Sequence, residues 1–186
     1  MTDLSFRSYC LEVEEYLETV ADSDIDRVCE LIWQTLGTGK ILTAGNGGSI
    51  STAAHFANDL RTLNSGFRAI CLNDSNMITC ISNDRGYERI FYEPVFSLAD
   101  SGDVVIMISA SGNSENLILA VEAARQKSAI PVGIVGFDGG VLKSRVDYCI
   151  HARSPQGRYR EVEDCHSIIC HYIVSWLEFK KLKYVT

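Results

Sequence analysis

The chain has 186 residues, 46% of them hydrophobic and 22% charged, with only 3 prolines, the balance of one ordinary globular domain long enough to bury its own core. Its formal net charge is −7, and its basic residues cluster only at Lys180, Lys181 and Lys183, which argues against nucleic acid as a partner. Apolar runs such as 104–108 and 130–135 fall far short of the roughly 20 residues a membrane helix requires.

The first twenty residues are acidic and helical in pattern, so they do not read as a secretory signal, and a cytoplasmic setting is expected. Apolar positions recur at helical spacing over 5–20 and 24–37; Asp22, Ser23 and Asp24 offer a cap to the second stretch, and Gly37 and Gly39 close it. Five β-rich runs follow at 40–44, 68–72, 103–108, 131–136 and 147–151, separated by helical stretches near 49–63, 86–99 and 114–128. Alternation of this kind predicts parallel βαβ units with right-handed crossovers: a three-layer α/β/α sandwich around a central five-stranded parallel sheet, preceded by N-terminal helices. The expected organisation is one domain over 1–186, with 1–38 a helical pair used in oligomerisation and 39–186 the α/β core. A last helix near 161–181 opens on Glu161, Glu163 and Asp164, ends in lysines as the helix dipole favours, and carries an apolar face broad enough to meet partner subunits.

Two turns carry chemistry. The first, ILTAGNGGSISTAAHFAND over 41–59, runs a strand into a glycine-rich turn and then a helix, so the main chain at Asn46, Gly47, Gly48 and Ser49 faces a helix N-terminus that favours an anion. His55 and Asp59, four apart, share one face of that helix as an acid/base or metal pair. The second turn, Ser109, Ala110, Ser111, Gly112, Asn113 and Ser114, places hydroxyls at the end of a buried strand, where ligands bind in open α/β sheets. A cap role for Ser114 is the plain alternative. Neither turn matches a nucleotide-binding signature, whereas a sugar phosphate fits: serines for the phosphate, and Asn46, Asn83 and Asp84, expected in loops, for the sugar hydroxyls. The seven cysteines contain no CxxC pair and are expected to be reduced and mostly buried; His151, at a strand end, is expected at the surface or in a loop; Arg158 and Arg160 are expected in the loop before the last helix, with solvation their default.

AGNGGS followed by HFAxD, then ISNDxGY, ISxSGNS and a late ExxxxxxxH resemble the sugar isomerase (SIS) fold, and within it the sedoheptulose 7-phosphate isomerases, also called phosphoheptose isomerases. The resemblance implies a homotetramer with active sites between subunits, a zinc ion, and interconversion of sedoheptulose 7-phosphate and D-glycero-D-manno-heptose 7-phosphate. Carried over by position, it places substrate contacts on Asn46, Gly47, Gly48, Ser49, Asn83, Asp84, Ser109, Ala110, Ser111, Ser114 and Glu163. It places metal ligands on His55, Asp59, Glu163 and His171, with Asp59 as the base and His171 as the acid. Two positions depart from the family pattern: Asp59 stands where glutamate is usual, and Glu163 where glutamine is usual. Glu163 and His171 lie eight residues apart, about 12 Å along a straight helix, so either Glu163 precedes the regular helix or the ligands of one metal come from two chains. His166 competes with His171 because it shares a helical face with Glu163. Two further readings stay open: a non-catalytic sugar-phosphate or partner-binding regulator, and an isomerase of another phosphosugar.

Overall fold

The computed structural model describes residues 5–63 and 66–184. Two helices, α1 (Phe6–Leu17) and α2 (Asp22–Gln34), lead into β1 (Lys40–Gly45), α3 (Gly48–Thr62) and β2 (Arg68–Cys71). Then come α4 (Ser75–Arg85), a 3₁₀ turn (Tyr87–Arg89), α5 (Tyr92–Leu98), β3 (Val104–Ser109), α6 (Glu115–Gln126), β4 (Ile130–Val135), α7 (Gly140–Arg145), β5 (Tyr148–His151) and α8 (Tyr159–Tyr184). The five strands are all parallel, as the alternating pattern predicts, and stand in the order β2-β1-β3-β4-β5.

Successive side chains of a strand point to opposite faces, and here each face is roofed. Ile41, Val104, Ile106, Ile108, Val132 and Ile134 pack toward α2, α3 and α8, while Leu42, Ala44, Val105 and Met107 pack toward α5, α6 and α7. β3 is buried along its whole length, which its uninterrupted apolar run requires. Helices α1 and α2 lie against α8 of their own chain, with the Tyr9 hydroxyl donating to the Asp164 carboxylate at 2.5 Å.

The boundaries differ from expectation in three places. The segment before Gly86 is a helix, α4, capped by Asp74, whose carboxylate accepts from the Met77 N–H at 2.8 Å; it has no fully buried residue, so no apolar period betrays it. Asn83 and Asp84, expected in a loop, therefore sit exposed on its last turn. The helix expected over 86–99 is split: Gly86, at φ +97°, ends α4, and α5 starts only at Tyr92, with Pro94 in its first turn where a missing N–H costs nothing. Short α7 was not anticipated.

His151, expected at the surface or in a loop, is buried instead. It ends β5 at 9% exposure, and its ring is hydrogen-bonded on both nitrogens. All seven cysteines are free; Cys29, Cys165 and Cys170 are buried, while Cys10 and Cys80 are exposed. Burial pushes the Cys29 thiol up to about 12 and Cys165 to about 11, and raises Cys170 as well, so these remain protonated packing residues.

Candidate functional site

Strand order reverses direction of growth between β1 and β3, so the loops leaving these two neighbours diverge at their carboxyl ends, the position at which ligands bind in open α/β sheets. Both chemistry-bearing turns are those loops. After β1, Gly47 adopts φ +54° and caps α3 without any side-chain hydrogen bond. Ser49 is buried, and its N–H returns to the Asn46 carbonyl at 3.0 Å, which closes the turn.

Asn46 is held from two sides. It exchanges amide hydrogen bonds with Asn116 at 3.0 and 2.9 Å, and its Oδ1 also accepts from the Tyr87 hydroxyl at 3.0 Å. Sequence reasoning missed both Tyr87 and Asn116; the GY of ISNDxGY and the asparagine after ISxSGNS were visible, but no spacing rule joins positions 41 and 70 residues from Asn46.

After β3, Ser109 is buried with its Oγ accepting from the Gly112 N–H at 3.0 Å, and Ser111 Oγ accepts from the Asn113 N–H at 3.3 Å. Ser114 is the N-cap residue of α6, yet its hydroxyl makes no capping bond, so it stays available beside the free N–H groups of the helix. Gly112, at φ +64°, lies directly on the Gly139–Gly140 turn, and the loop is pinned from there: the Leu142 N–H donates to Gly112 O at 2.8 Å and the Val141 N–H to Asn113 Oδ1 at 3.0 Å. Ala110 is buried behind this loop with Phe137 and Val162.

The titratable cluster forms where α3 crosses α8. His55 and His171 rings meet edge to face with centroids 5.1 Å apart, and His55 Nε2 lies 3.4 Å from Asp59 Oδ2. One ligand atom from each of His55, Asp59 and His171 falls within 4.8 Å of the others. Two imidazoles and a carboxylate are a donor set that suits zinc with a fourth position open, so the residues fit the ion that the resemblance implies.

Glu163 is not in this group. It lies inside α8, two turns before His171, which rules out the arrangement in which it precedes the regular helix. Its carboxylate packs on Gly48: a Cβ built at that glycine would come within 2.5 Å of Glu163 Cδ. Burial, then the neighbouring Asp164, holds this carboxyl above its ordinary range, with Arg160 acting the other way. His166 also stands apart; it is fully buried, and neither ring nitrogen has a hydrogen-bond partner among the described residues, although the Val135 main chain approaches without bonding geometry. Asn83 and Asp84 bond to each other at 2.8 Å on the rim. Arg158 is engaged by Glu12 and Glu161 of its own chain, and Arg160 sits exposed in the first turn of α8.

Comparison with known proteins agrees with this geometry. The SIS domain family model matches residues 8–136. The phosphoheptose isomerase of Histophilus somni is 37% identical over 150 residues, covering 78% of this chain and 76% of that protein. That of Yersinia pestis (strain Pestoides F) is 36% identical over 186 residues, covering 92% and 95%. The solved structure of the phosphoheptose isomerase of Neisseria gonorrhoeae superposes with a TM-score of 0.84 at 31% identity, covering 93% of this chain and 94% of that one. A family model that matches more than half of the chain, and relatives 36–37% identical over most of it, show that the chain belongs to the SIS domain family.

Proposed function

We propose that the protein is an aldose–ketose isomerase that converts sedoheptulose 7-phosphate to D-glycero-D-manno-heptose 7-phosphate. The observation that carries this reading is the convergence of His55, Asp59 and His171 at the α3–α8 crossing, the first two on the helix that starts from the Asn46–Gly48 turn and the third on α8. Relatives named phosphoheptose isomerase over most of the chain support it.

In this reading Ser109, Ser111 and Ser114 and the first N–H groups of α6 bind the phosphate. Asn46, Gly47, Gly48, Ser49, Asn83 and Asp84 face the sugar, and Ala110 lines the wall. Glu163, held against Gly48, also belongs to the sugar side. Asp59 takes a proton from C1 of the ketose and returns it to C2; His171 supplies a proton to the carbonyl oxygen on C2 and recovers one from the hydroxyl on C1, which balances the exchange through an enediol. A zinc ion held by His55, Asp59 and His171 would polarise the carbonyl and stabilise negative charge on the enediolate.

The reading is tested by incubating the purified protein with sedoheptulose 7-phosphate and measuring aldose. Asp59→Asn should lower kcat/KM by about 10²- to 10⁴-fold, the usual contribution of a positioned base. Unchanged turnover would sink the base assignment, and tight binding without turnover in the wild type would favour a non-catalytic sugar-phosphate binder instead. Metal analysis of the same preparation should find zinc, lost together with activity on chelation. We further propose a homotetramer in the cytoplasm with sites between subunits. Ile168, Tyr172, Phe179 and Leu182 leave an apolar stripe exposed along α8, and a light-scattering mass of one chain would refute assembly through it.

A further inference from the structure

Two adjoining cavities, of about 310 and 440 Å³, open between the α1–α2 connection, α7 and the end of β5, and both have Thr19, Lys143, His151 and Arg153 in their walls. Neither includes a residue of the two anion-binding turns or of the His55–Asp59–His171 cluster. We propose that this is a second anion site, built for the phosphate of a small phosphorylated polyol.

The charge pattern comes first. The chain carries 24 acidic against 17 basic residues, yet the four residues common to both cavities include two cations and no carboxylate. Among the described residues, Lys143 and Arg153 enter no ion pair, yet both line the same space. The third cation of the walls, Arg27, is taken by Asp24 at 2.6 Å, and Asp147 is likewise taken by Arg125 at 2.6 Å. What remains unneutralised at the shared wall is a pair of positive charges.

The second observation is how Lys143 is held. Its Nζ lies 3.2 Å from His151 Nδ1, and His151 Nε2 lies 3.1 Å from the Phe137 carbonyl oxygen. An ammonium only donates and a carbonyl only accepts, so the imidazole must be neutral, with its proton on Nε2. Burial above all, with the Lys143 and Arg153 charges adding, keeps His151 below its ordinary range, while the Phe137 bond works the other way. A carboxylate at this position would fix the lysine and cancel its charge. A neutral histidine fixes it and leaves the charge and two further N–H groups for a ligand.

Arg153 is positioned from its own backbone, whose N–H donates to Thr19 Oγ1 at 2.7 Å. The combined space exceeds what inorganic phosphate fills, and Glu15 and Asp138 in the outer cavity can accept hydrogen bonds from hydroxyls at the far end of the ligand.

Crystals of the full chain soaked in sodium tungstate, a heavy oxyanion of similar shape, test this directly through anomalous scattering. A peak is expected within reach of Lys143 Nζ and the Arg153 guanidinium, separate from any peak at Ser109–Ser114. In solution, equilibrium dialysis against radiolabelled inorganic phosphate should count two sites per chain in the wild type. Lys143→Met or Arg153→Gln should weaken the second by about 10- to 100-fold, the worth of one charge-assisted hydrogen bond. His151→Asp, which leaves the lysine fixed but neutralised, should weaken it comparably and serves as a second variant if either of the others fails to fold. A peak confined to the serine loop, or binding untouched by all three substitutions, overturns the proposal. A peak at Lys143 with none at the serine loop supports it and counts instead against the phosphate assignment in the isomerase site.

Discussion

Gly112→Ala probes the serine loop, proposed to hold the phosphate, where it is most tightly built. A Cβ added there would land on the Gly139 carbonyl oxygen and 2.7 Å from its carbon, against an ordinary contact of 3.4–4 Å, and these are backbone atoms that no rotamer change can move. The residue also sits at φ +64°, where an L side chain costs about 1–2 kcal/mol. Overpacking adds about 1–3 kcal/mol, for a total of about 2–5 kcal/mol, or a fall in Tm of about 4–20 °C in a chain of this size. Gly102 provides the control: its φ is +86°, but a Cβ there meets nothing within 4 Å, so Gly102→Ala should show only the backbone cost. Because Gly112 anchors Ser109 Oγ and is itself pinned by Leu142, the displaced loop should also raise KM for the sugar phosphate by about tenfold or more, with kcat less affected. Calorimetry and steady-state kinetics on both variants decide the matter. Equal losses of Tm in the two, or an unchanged KM in Gly112→Ala, would refute the reasoning.

Removal of the Tyr87 hydroxyl in Tyr87→Phe deletes the bond to Asn46 Oδ1 and should raise KM by about two- to tenfold, with Tm held because the ring is largely exposed; unchanged KM would take Tyr87 out of the site. His166 makes the acid limb of stability steep. Burial pulls its pKa from 6.5 down to about 4, so its contribution is fully present above pH 6.5 and is lost as pH falls toward 4, about 3 kcal/mol at about 1.4 kcal/mol per pH unit. His166→Leu also removes two buried nitrogens that lack partners among the described residues, so urea unfolding should find it at least as stable as the wild type at pH 7 and clearly more stable at pH 4.5; parallel losses with acid in both proteins would refute the assignment.

What could be read from residues alone follows the physics of burial and locality. The β3 and β4 runs are buried on both faces, so hydrophobicity alone marked them and, through them, the parallel sheet. His55 and Asp59 were legible because four residues of helix suffice to bring them together. Helix α4 was not legible by period because it fully buries no residue, although its ends, Asp74 and Gly86, are conventional start and stop signals. His151 was misread because its burial comes from α7 and the 137 carbonyl, neither of which has a local signature at β5. Glu163 shows the same limit from the other side. Position along α8 allies it with His171, but the helix separates them by two turns and lays its carboxylate on Gly48, the one kind of residue whose bare Cα admits it. Aspartate at 59 and glutamate at 163 are therefore not two defects in one ligand set. Asp59 reaches the histidine pair with its shorter side chain, because its Oδ2 already stands 3.4 Å from His55 Nε2 on the shared face of α3. Glu163 answers instead to the glycine turn at the start of that same helix, so the two positions that depart from the family pattern meet α3 at opposite ends, Asp59 near its last turn and Glu163 at its first residue.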